Sequence, residues 1–213
     1  MILYWILLIL TALVAYLFGS LDTMVLASNF VFHRNLRRLG NEATWFSNFR
    51  RVYGIGGFVR IFLIEFVKNL IPILIGGLLL GIKEHPEVGR AFAGFCLVLG
   101  RTYPAAYNFR GGSAVIAMIM AACGAELSIG IVAAVAMAAV IFASRYITLG
   151  VFAAAVVYAA LAVVMLDANI MLRLAIFTAA LVMIRNIPAL FRVFTKRERR
   201  LSFAEDITYK LDE

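Results

Sequence analysis

Residues 99–115, with the sequence LGRTYPAAYNFRGGSAV, combine positive charge with a glycine pair in a pattern suited to binding an anion. Arg101 and Arg110 carry fixed charge. Pro104 ends the preceding helix, and Gly111–Gly112 lets backbone N–H groups turn toward a ligand where the next apolar run begins. A helix N-terminus attracts negative charge, and guanidinium groups beside it add bidentate phosphate recognition. The alternative is an ordinary interfacial loop, since Gly and Pro punctuate most membrane loops.

Glu65 and Lys68 form a second candidate site. Residues three apart share one face of a helix, so these two can pair. They lie inside the apolar run 58–82, where ionisable side chains are costly and usually face a cavity, a partner or a substrate. The alternative is that this helix end lies at the membrane interface and Lys68 extends to the lipid headgroups.

The chain offers little material for metal or hydrolase chemistry. Cys96 and Cys123 lie in apolar runs, which favours packed side chains over a disulfide or a thiolate site. His33 and His85 are the only histidines and are far apart in sequence. We therefore expect no histidine metal site, no Ser-His-Asp triad and no cofactor.

Membrane helices must position these groups. Of the 213 residues, 64% are hydrophobic and 15% are charged, which indicates an all-α integral membrane protein. Residues 2–21 carry no charge and are long enough to span the hydrocarbon layer. A signal peptide fits them less well, because no basic segment precedes them and no small-residue cleavage pattern follows. The later apolar runs are 58–82, 91–99, 113–123, 128–143, 147–166 and 170–184, so we predict about seven transmembrane helices.

The distribution of Lys and Arg predicts an N-terminus outside and a C-terminus in the cytoplasm. With that orientation only Lys83, Arg90 and Arg173 of the 20 basic residues fall on the outer side or at the start of the last helix. Lys68 lies within the membrane. The polar segments 37–54, 101–112 and 145–146 then share the cytoplasmic face of a multi-pass protein in the inner or plasma membrane.

Two domains are expected from the composition. Residues 1–191 form the membrane domain, and residues 192–213 form a basic and then acidic cytoplasmic tail. Basic residues of this tail can hold anionic headgroups at about 1 kcal/mol each. Membrane lipids are therefore expected partners, and nucleic acid is not.

The polar segment 37–54, RRLGNEATWFSNFRRVYG, resembles a motif of the form R-K-I-G-S-G-N-x-G-A-T-N-x-x-R-x-x-G. The motif belongs to the bacterial acyl-phosphate:glycerol-3-phosphate acyltransferases of the PlsY type. The frame residues that match are Arg37, Gly40, Asn48, Arg51 and Gly54. The replaced positions are Asn41 for the serine, Ala43 for the first asparagine, and Glu42 and Trp45 for inner glycines.

The remaining motifs of this family also have counterparts, in the family's order. Gly19-Ser20 follows the first helix, and residues 65–69 are similar to its D-x-x-K-G element with Lys68 kept. The glycine loop keeps Gly100, Pro104, Phe109, Gly111, Gly112 and Val115, with Arg101 for its histidine, Arg110 for a lysine and Ser113-Ala114 for its second Lys-Gly. Ser144-Arg145-Tyr146 resembles the S-R-Y element, and Asn186-Ile187 matches the last motif, with Met183 in place of its histidine and Glu198 as a candidate for its glutamate.

The resemblance implies a seven-helix enzyme that transfers an acyl group from acyl phosphate to glycerol 3-phosphate and forms lysophosphatidic acid for phospholipid synthesis. The residues it implies for catalysis are Asn48 and Lys68, and Ser47, next to Asn48, is the candidate to substitute for the missing hydroxyl group. Those it implies for phosphate binding are Arg51, Arg110, Gly111, Gly112, Arg145 and Asn186. The alternative is an inactive relative that binds a phosphorylated lipid or metabolite or acts as a membrane subunit. A transporter fits less well, because the polar residues gather at one face.

Overall fold

A computed structural model of the protein describes residues 2–23, 45–109, 111–166 and 170–195, with backbone alone at 45–55 and 58. The α-helices are α1 Ile2–Ser20, α2 Trp45–Gly81, α3 Pro86–Thr102, α4 Val115–Ala125, α5 Leu127–Ser144, α6 Ile147–Met165 and α7 Ile170–Phe194. A 3-10 turn, Ala105–Tyr107, lies between α3 and α4. Each apolar run of the sequence is helical, and these described ranges contain no strand.

Five described helices are long and apolar enough to cross a membrane: α1, residues Val59–Gly81 of α2, α5, α6 and α7. Helix α3 has 17 residues and α4 has 11, which are shorter than the roughly 20 residues of a full span. The all-helical membrane class is therefore confirmed. The count of seven crossings and the orientation of the termini stay predictions.

Three helix ends differ from the sequence-based expectation. Helix α2 begins at Trp45 and not near residue 58, because the polar segment before the span continues the helix through its glycines. Helix α3 begins at Pro86, inside the expected polar turn, where proline suits the first helical position and Glu87 complements the dipole. Helix α7 continues to Phe194, past the expected domain boundary at 191, and the rest of the tail lies outside the described residues.

Helix α3 is the central element, since it packs against α1, α2, α4 and α7. It approaches α1 through glycines on both helices. A Cβ on Gly19 would lie 2.2 Å from the Leu97 carbonyl oxygen, and one on Gly100 would lie 2.2 Å from the Tyr16 carbonyl oxygen. The two backbones therefore touch, as small residues allow in membrane helix pairs.

Tyr16 of α1 fixes the chain that leaves α3. Its hydroxyl donates to the Tyr103 carbonyl oxygen at 2.8 Å and accepts from the Ala105 N–H at 3.1 Å. Helix α3 ends at Thr102, just before Pro104, because the residue before a proline disfavours the helical conformation. The turn that follows is consequently held against α1.

The packing is that of a lipid-solvated protein. Its interior is rich in small side chains, including Ala15, Ala93, Ala122, Ala154 and Ala162, which are fully buried. Its surface carries large apolar side chains, including Ile2, Trp5, Leu78, Phe142 and Phe191. Small residues inside allow close helix contact, and the large residues outside match a hydrocarbon solvent.

Candidate functional site

A buried polar cluster surrounds Glu65 and Lys68 in the middle of α2. Their side chains are 2% and 5% exposed, and the Lys68 Nζ lies 3.3 Å from both carboxylate oxygens. Lys68 also donates to the Leu21 carbonyl oxygen and to the Thr23 hydroxyl, each at 3.0 Å. The pairing predicted from the spacing is confirmed. Because an ammonium group has three donors, these partners use all of them.

Glu65 joins three parts of the chain. Its carboxylate accepts hydrogen bonds from the Thr23 hydroxyl and, at 3.3 Å, from the Asn69 Nδ2. The Arg101 Nε, on the last turn of α3, lies 3.9 Å from the Glu65 Oε1. The carboxylate therefore ties the segment after α1 and the middle of α2 to the end of α3, and it faces the glycine loop and not lipid.

The glycine turn folds back onto the end of α3. A Cβ on Gly111 would lie 2.2 Å from the Arg101 carbonyl oxygen and 2.5 Å from that of Thr102. Arg185 of α7 donates from Nη2 to the Gly111 carbonyl oxygen. Neither Gly111 nor Gly112 has a left-handed φ, so close approach, and not turn geometry, is what requires a glycine at 111.

Gly112 differs from its neighbour in being open. It is exposed, and among the described residues the atom that a Cβ there would approach is the Arg101 Nη2, at 3.9 Å. One side of this glycine therefore faces the Arg101 guanidinium across free space.

Buried polar atoms without hydrogen-bond partners concentrate in this region. Within the described ranges they are the Asn69 Oδ1, the Arg101 Nε, the Thr102 Oγ1, the Ser113 Oγ and the Arg185 Nε. We call this set of residues, with Thr23, Glu65, Lys68, Gly111 and Gly112, the Arg101 cluster. Leaving such atoms unpaired costs about 1–3 kcal/mol each, so their gathering in one place marks a site suited to a polar ligand. Lys68, Arg101 and Arg185 outnumber the Glu65 carboxylate and the nearby Asp22, and this excess of positive charge favours an anion.

Asn186 and Arg145, two of the residues implied for phosphate binding, lie in different surroundings. The Asn186 Nδ2 donates to the Val182 carbonyl oxygen of its own helix at 2.7 Å. Arg145 is exposed at the junction of α5 and α6, with φ of 61°. The phosphate-binding role of both residues stays a prediction.

The other implied residues stay predictions. Ser47, Asn48 and Arg51 lie in the first turns of α2, where the backbone alone is described. At 1.5 Å per residue, Arg51 lies about 25 Å along the helix from Lys68. Arg110 lies outside the described residues.

Arg185 and Thr23 are cluster residues that the sequence did not reveal. In the sequence, Arg185 contributes only to the distribution of basic residues that predicts the orientation of the chain. The available signal is the position of Arg185 directly after the apolar run 170–184, since ionisable residues at a membrane span are functional candidates. Thr23 gives no such signal, because its role depends on a fold that brings it to Glu65.

No group of three or more His, Cys, Asp or Glu side chains that could hold a metal ion occurs in the part of the chain that the structure describes. The Arg101 cluster itself contains one carboxylate among cations, which is unsuited to a cation ligand.

The family model for glycerol-3-phosphate acyltransferase matches residues 9–196. The chain belongs to this family. A glycerol-3-phosphate acyltransferase from Thermoanaerobacter sp. strain X514 is 23% identical over 199 residues, covering 93% of this chain and 98% of the relative. One from Streptococcus thermophilus is 35% identical over 107 residues, covering 50% of this chain and 48% of the relative.

Two crystal structures of PlsY, an integral membrane glycerol 3-phosphate acyltransferase, are similar over nearly the whole chain. The glycerol 3-phosphate form has a TM-score of 0.75 and 25% identity, covering 92% of this chain and 96% of that one. The lysophosphatidic acid form has a TM-score of 0.74 and 25% identity, with coverage of 92% and 95%. This member of the glycerol-3-phosphate acyltransferase family is therefore a membrane protein with the PlsY fold.

Proposed function

We propose that the protein transfers an acyl group from acyl phosphate to glycerol 3-phosphate and forms lysophosphatidic acid. The observation that carries this proposal is the Arg101 cluster, where buried polar atoms without partners among the described residues lie beside two arginines that reach the Gly111–Gly112 turn. Both substrates bring phosphate oxygens, which accept hydrogen bonds from such donors. The glycerol-3-phosphate acyltransferase relatives and the glycerol 3-phosphate form of PlsY support the same substrates.

The reaction asks for little covalent chemistry from the protein. Acyl phosphate is already activated, and the nucleophile is a hydroxyl of glycerol 3-phosphate. The acyl carbon forms an ester bond with that oxygen, its bond to the phosphate oxygen breaks, and the hydroxyl proton passes to the released phosphate or to solvent. Holding two anions close together and stabilising the developing charge are the remaining tasks, and cations and backbone N–H groups perform them.

The roles follow from which groups are already engaged. Lys68 donates its hydrogen bonds to Leu21, Thr23 and Glu65. Its proposed role is therefore to position Glu65 and to add positive electrostatic potential at the site. Gly111 and Gly112 bring the loop backbone to the phosphate. Arg51, Arg110, Arg145 and Asn186 stay proposed phosphate ligands, and Ser47 and Asn48 stay proposed to orient the acceptor hydroxyl.

The proposal includes an orientation. The N-terminus lies outside, seven helical segments enter the inner or plasma membrane, and the Arg101 cluster opens to the cytoplasm, which suits soluble glycerol 3-phosphate. Cysteines are introduced at His85 and Asn41 of a background without Cys96 and Cys123. The cysteine at 85 should react with an impermeant reagent added outside sealed cells, and the cysteine at 41 should react only when the reagent reaches the inner side. Reaction of both from the same side would overturn this arrangement.

The enzymatic test uses the purified protein with acyl phosphate and radiolabelled glycerol 3-phosphate. We expect labelled lysophosphatidic acid when both substrates are present and none when acyl phosphate is omitted. A folded protein that forms no product contradicts the proposed activity.

An inactive phosphate-binding protein is the second candidate. It is favoured by two positions where the family's imidazoles are replaced, Arg101 and Met183. Thermal unfolding in the presence of millimolar glycerol 3-phosphate reports binding whether or not catalysis occurs, and the product assay then distinguishes the two candidates. Stabilisation without product supports this candidate, and product formation excludes it.

A further inference from the structure

Two arginines reach the glycine turn from different helices. Arg101 ends α3, and its Nη2 lies 3.9 Å from the position that a Cβ of Gly112 would take. Arg185 lies in α7 and binds the other glycine of the pair through the Gly111 carbonyl oxygen. The turn is therefore flanked by two guanidinium groups.

Each guanidinium group has an N–H donor without an acceptor among the described residues, whereas the nearby Lys68 ammonium group has none. A guanidinium has five N–H donors in a planar fork, and an ammonium has three. Within the described residues Lys68 has partners for all three, whereas the Nε of Arg101 and the Nε of Arg185 are buried and have none. The Arg101 side chain is only 11% exposed, so water solvates little of it.

Glu65 attracts Arg101 by charge and does not accept a hydrogen bond from the Arg101 Nε. The separation of 3.9 Å between the Arg101 Nε and the Glu65 Oε1 is an ion pair beyond hydrogen-bond distance. The carboxylate is meanwhile bonded to Thr23, Lys68 and Asn69. Arg101 is thus kept in place by charge, while its Nε has no hydrogen-bond acceptor among the described residues.

We propose that Arg101 and Arg185 bind a phosphate group of a substrate between them, over the open side of Gly112. This inference rests on the proposed function and adds the residues that do the binding. The ligand class is a phosphomonoester or an acyl phosphate, since either presents oxygens to a planar fork. Arg185 also positions the turn through Gly111, so the two arginines act on the phosphate and on the backbone beneath it.

The test compares Arg101→Ala and Arg185→Ala with Arg90→Ala, a matched arginine of α3 whose Nε already donates to the Gly124 carbonyl oxygen at 3.0 Å. Melting temperatures of the purified proteins are measured with inorganic phosphate, with glycerol 3-phosphate and with acyl phosphate in separate arms. KM and kcat are measured for both substrates. Arg101→Lys and Arg185→Lys retain the charge and take the place of any alanine variant that does not fold.

We expect both alanine variants to lose ligand stabilisation and to raise the KM of one substrate on the order of ten- to a hundredfold, the loss of one charged hydrogen-bond set. The arm that changes identifies which phosphate is bound. The lysine variants should recover part of the affinity, because a point charge cannot reproduce the fork. Arg90→Ala should bind ligand as the unsubstituted protein does.

Unchanged KM values and unchanged stabilisation in both alanine variants, or in both lysine variants where these replace them, would overturn the inference and leave the proposed activity intact. Lost stabilisation by phosphate compounds in a protein that makes no product would support the inference and refute the activity. An unsubstituted protein that neither binds nor reacts refutes both.

Discussion

Arg90 and Arg101 lie at opposite ends of α3 and differ in how their charges are satisfied. The Arg90 Nε donates to the Gly124 carbonyl oxygen, near the C-terminus of α4, where carbonyls lack helical partners. The Arg101 Nε has an ion pair with Glu65 but no hydrogen bond within the described residues. Both are arginines of one helix, so residue type does not separate them. The two differ in whether the Nε has a hydrogen-bond acceptor among the described residues. On this ground Arg90 is a structural arginine and Arg101 is a candidate ligand-binding arginine.

The largest effect is expected from removing the charge that holds Arg101. Glu65→Gln keeps the size of the side chain and removes the carboxylate that neutralises both Lys68 and Arg101, so that Asp22, near Lys68, is the negative charge that remains beside them. Breaking a buried pair in this way costs roughly 3–5 kcal/mol. We therefore expect a clearly lower melting temperature for the purified protein in detergent.

The control is Glu126→Gln, at an exposed carboxylate before α5 that accepts a hydrogen bond from Ser128. Its melting temperature should stay within experimental error of the unsubstituted protein. Equal melting temperatures for the two variants would show that Glu65 does not neutralise the cluster.

A smaller effect is expected from crowding the turn beside Arg101. Gly111→Ala places a methyl group 2.2 Å from the Arg101 carbonyl oxygen, a backbone atom that cannot move aside cheaply. Overpacking of this kind typically costs about 1–3 kcal/mol. Gly112→Ala approaches the Arg101 Nη2 at 3.9 Å and no described side chain more closely, so it should fold normally.

Stability and acyl transfer measured together sharpen the contrast between the neighbouring glycines. Gly111→Ala should lower both quantities, whereas Gly112→Ala should keep its stability. A stable, fully active Gly111→Ala variant would mean that the turn does not pack on the end of α3.

The helices could be predicted from the sequence where the lipid environment determines the backbone structure. Every apolar run is helical, because a backbone in hydrocarbon must satisfy its own hydrogen bonds. The ends were not readable where the chain leaves the apolar run. Residues 45–57 are polar and glycine-bearing, which is equally compatible with a loop, yet they continue α2.

The contacts of the site could be predicted from the sequence only where they join residues close together in the chain. The pairing of Glu65 with Lys68 follows from three-residue spacing on one helix. The contact of Arg185 with Gly111 joins residues far apart in sequence, and no local pattern reports it. Arg145 shows the converse, because a matching tripeptide does not establish that its side chain reaches the Arg101 cluster.

The smallest effect is expected from loosening the segment after α3. Tyr16→Phe removes the hydroxyl that bonds Tyr103 and Ala105, which should cost about 0.5–1.5 kcal/mol. Tyr4→Phe is the matched control in the same helix, because the Tyr4 hydroxyl has no hydrogen-bond partner among the described residues and its ring forms an edge-on pair with Trp5. Thermal unfolding should rank Tyr16→Phe below Tyr4→Phe, and the reverse order would contradict the role given to Tyr16.

The most direct test of the central claim is the kcat/KM for lysophosphatidic acid formation in Arg101→Ala and Arg90→Ala, measured side by side with the unsubstituted protein. We expect Arg90→Ala to lose stability, through its bond to Gly124, and to keep kcat/KM once folded. Arg101→Ala should keep most of its stability and lose kcat/KM on the order of tenfold or more. Equal kcat/KM values for the two folded variants would contradict the assignment of Arg101 to substrate binding.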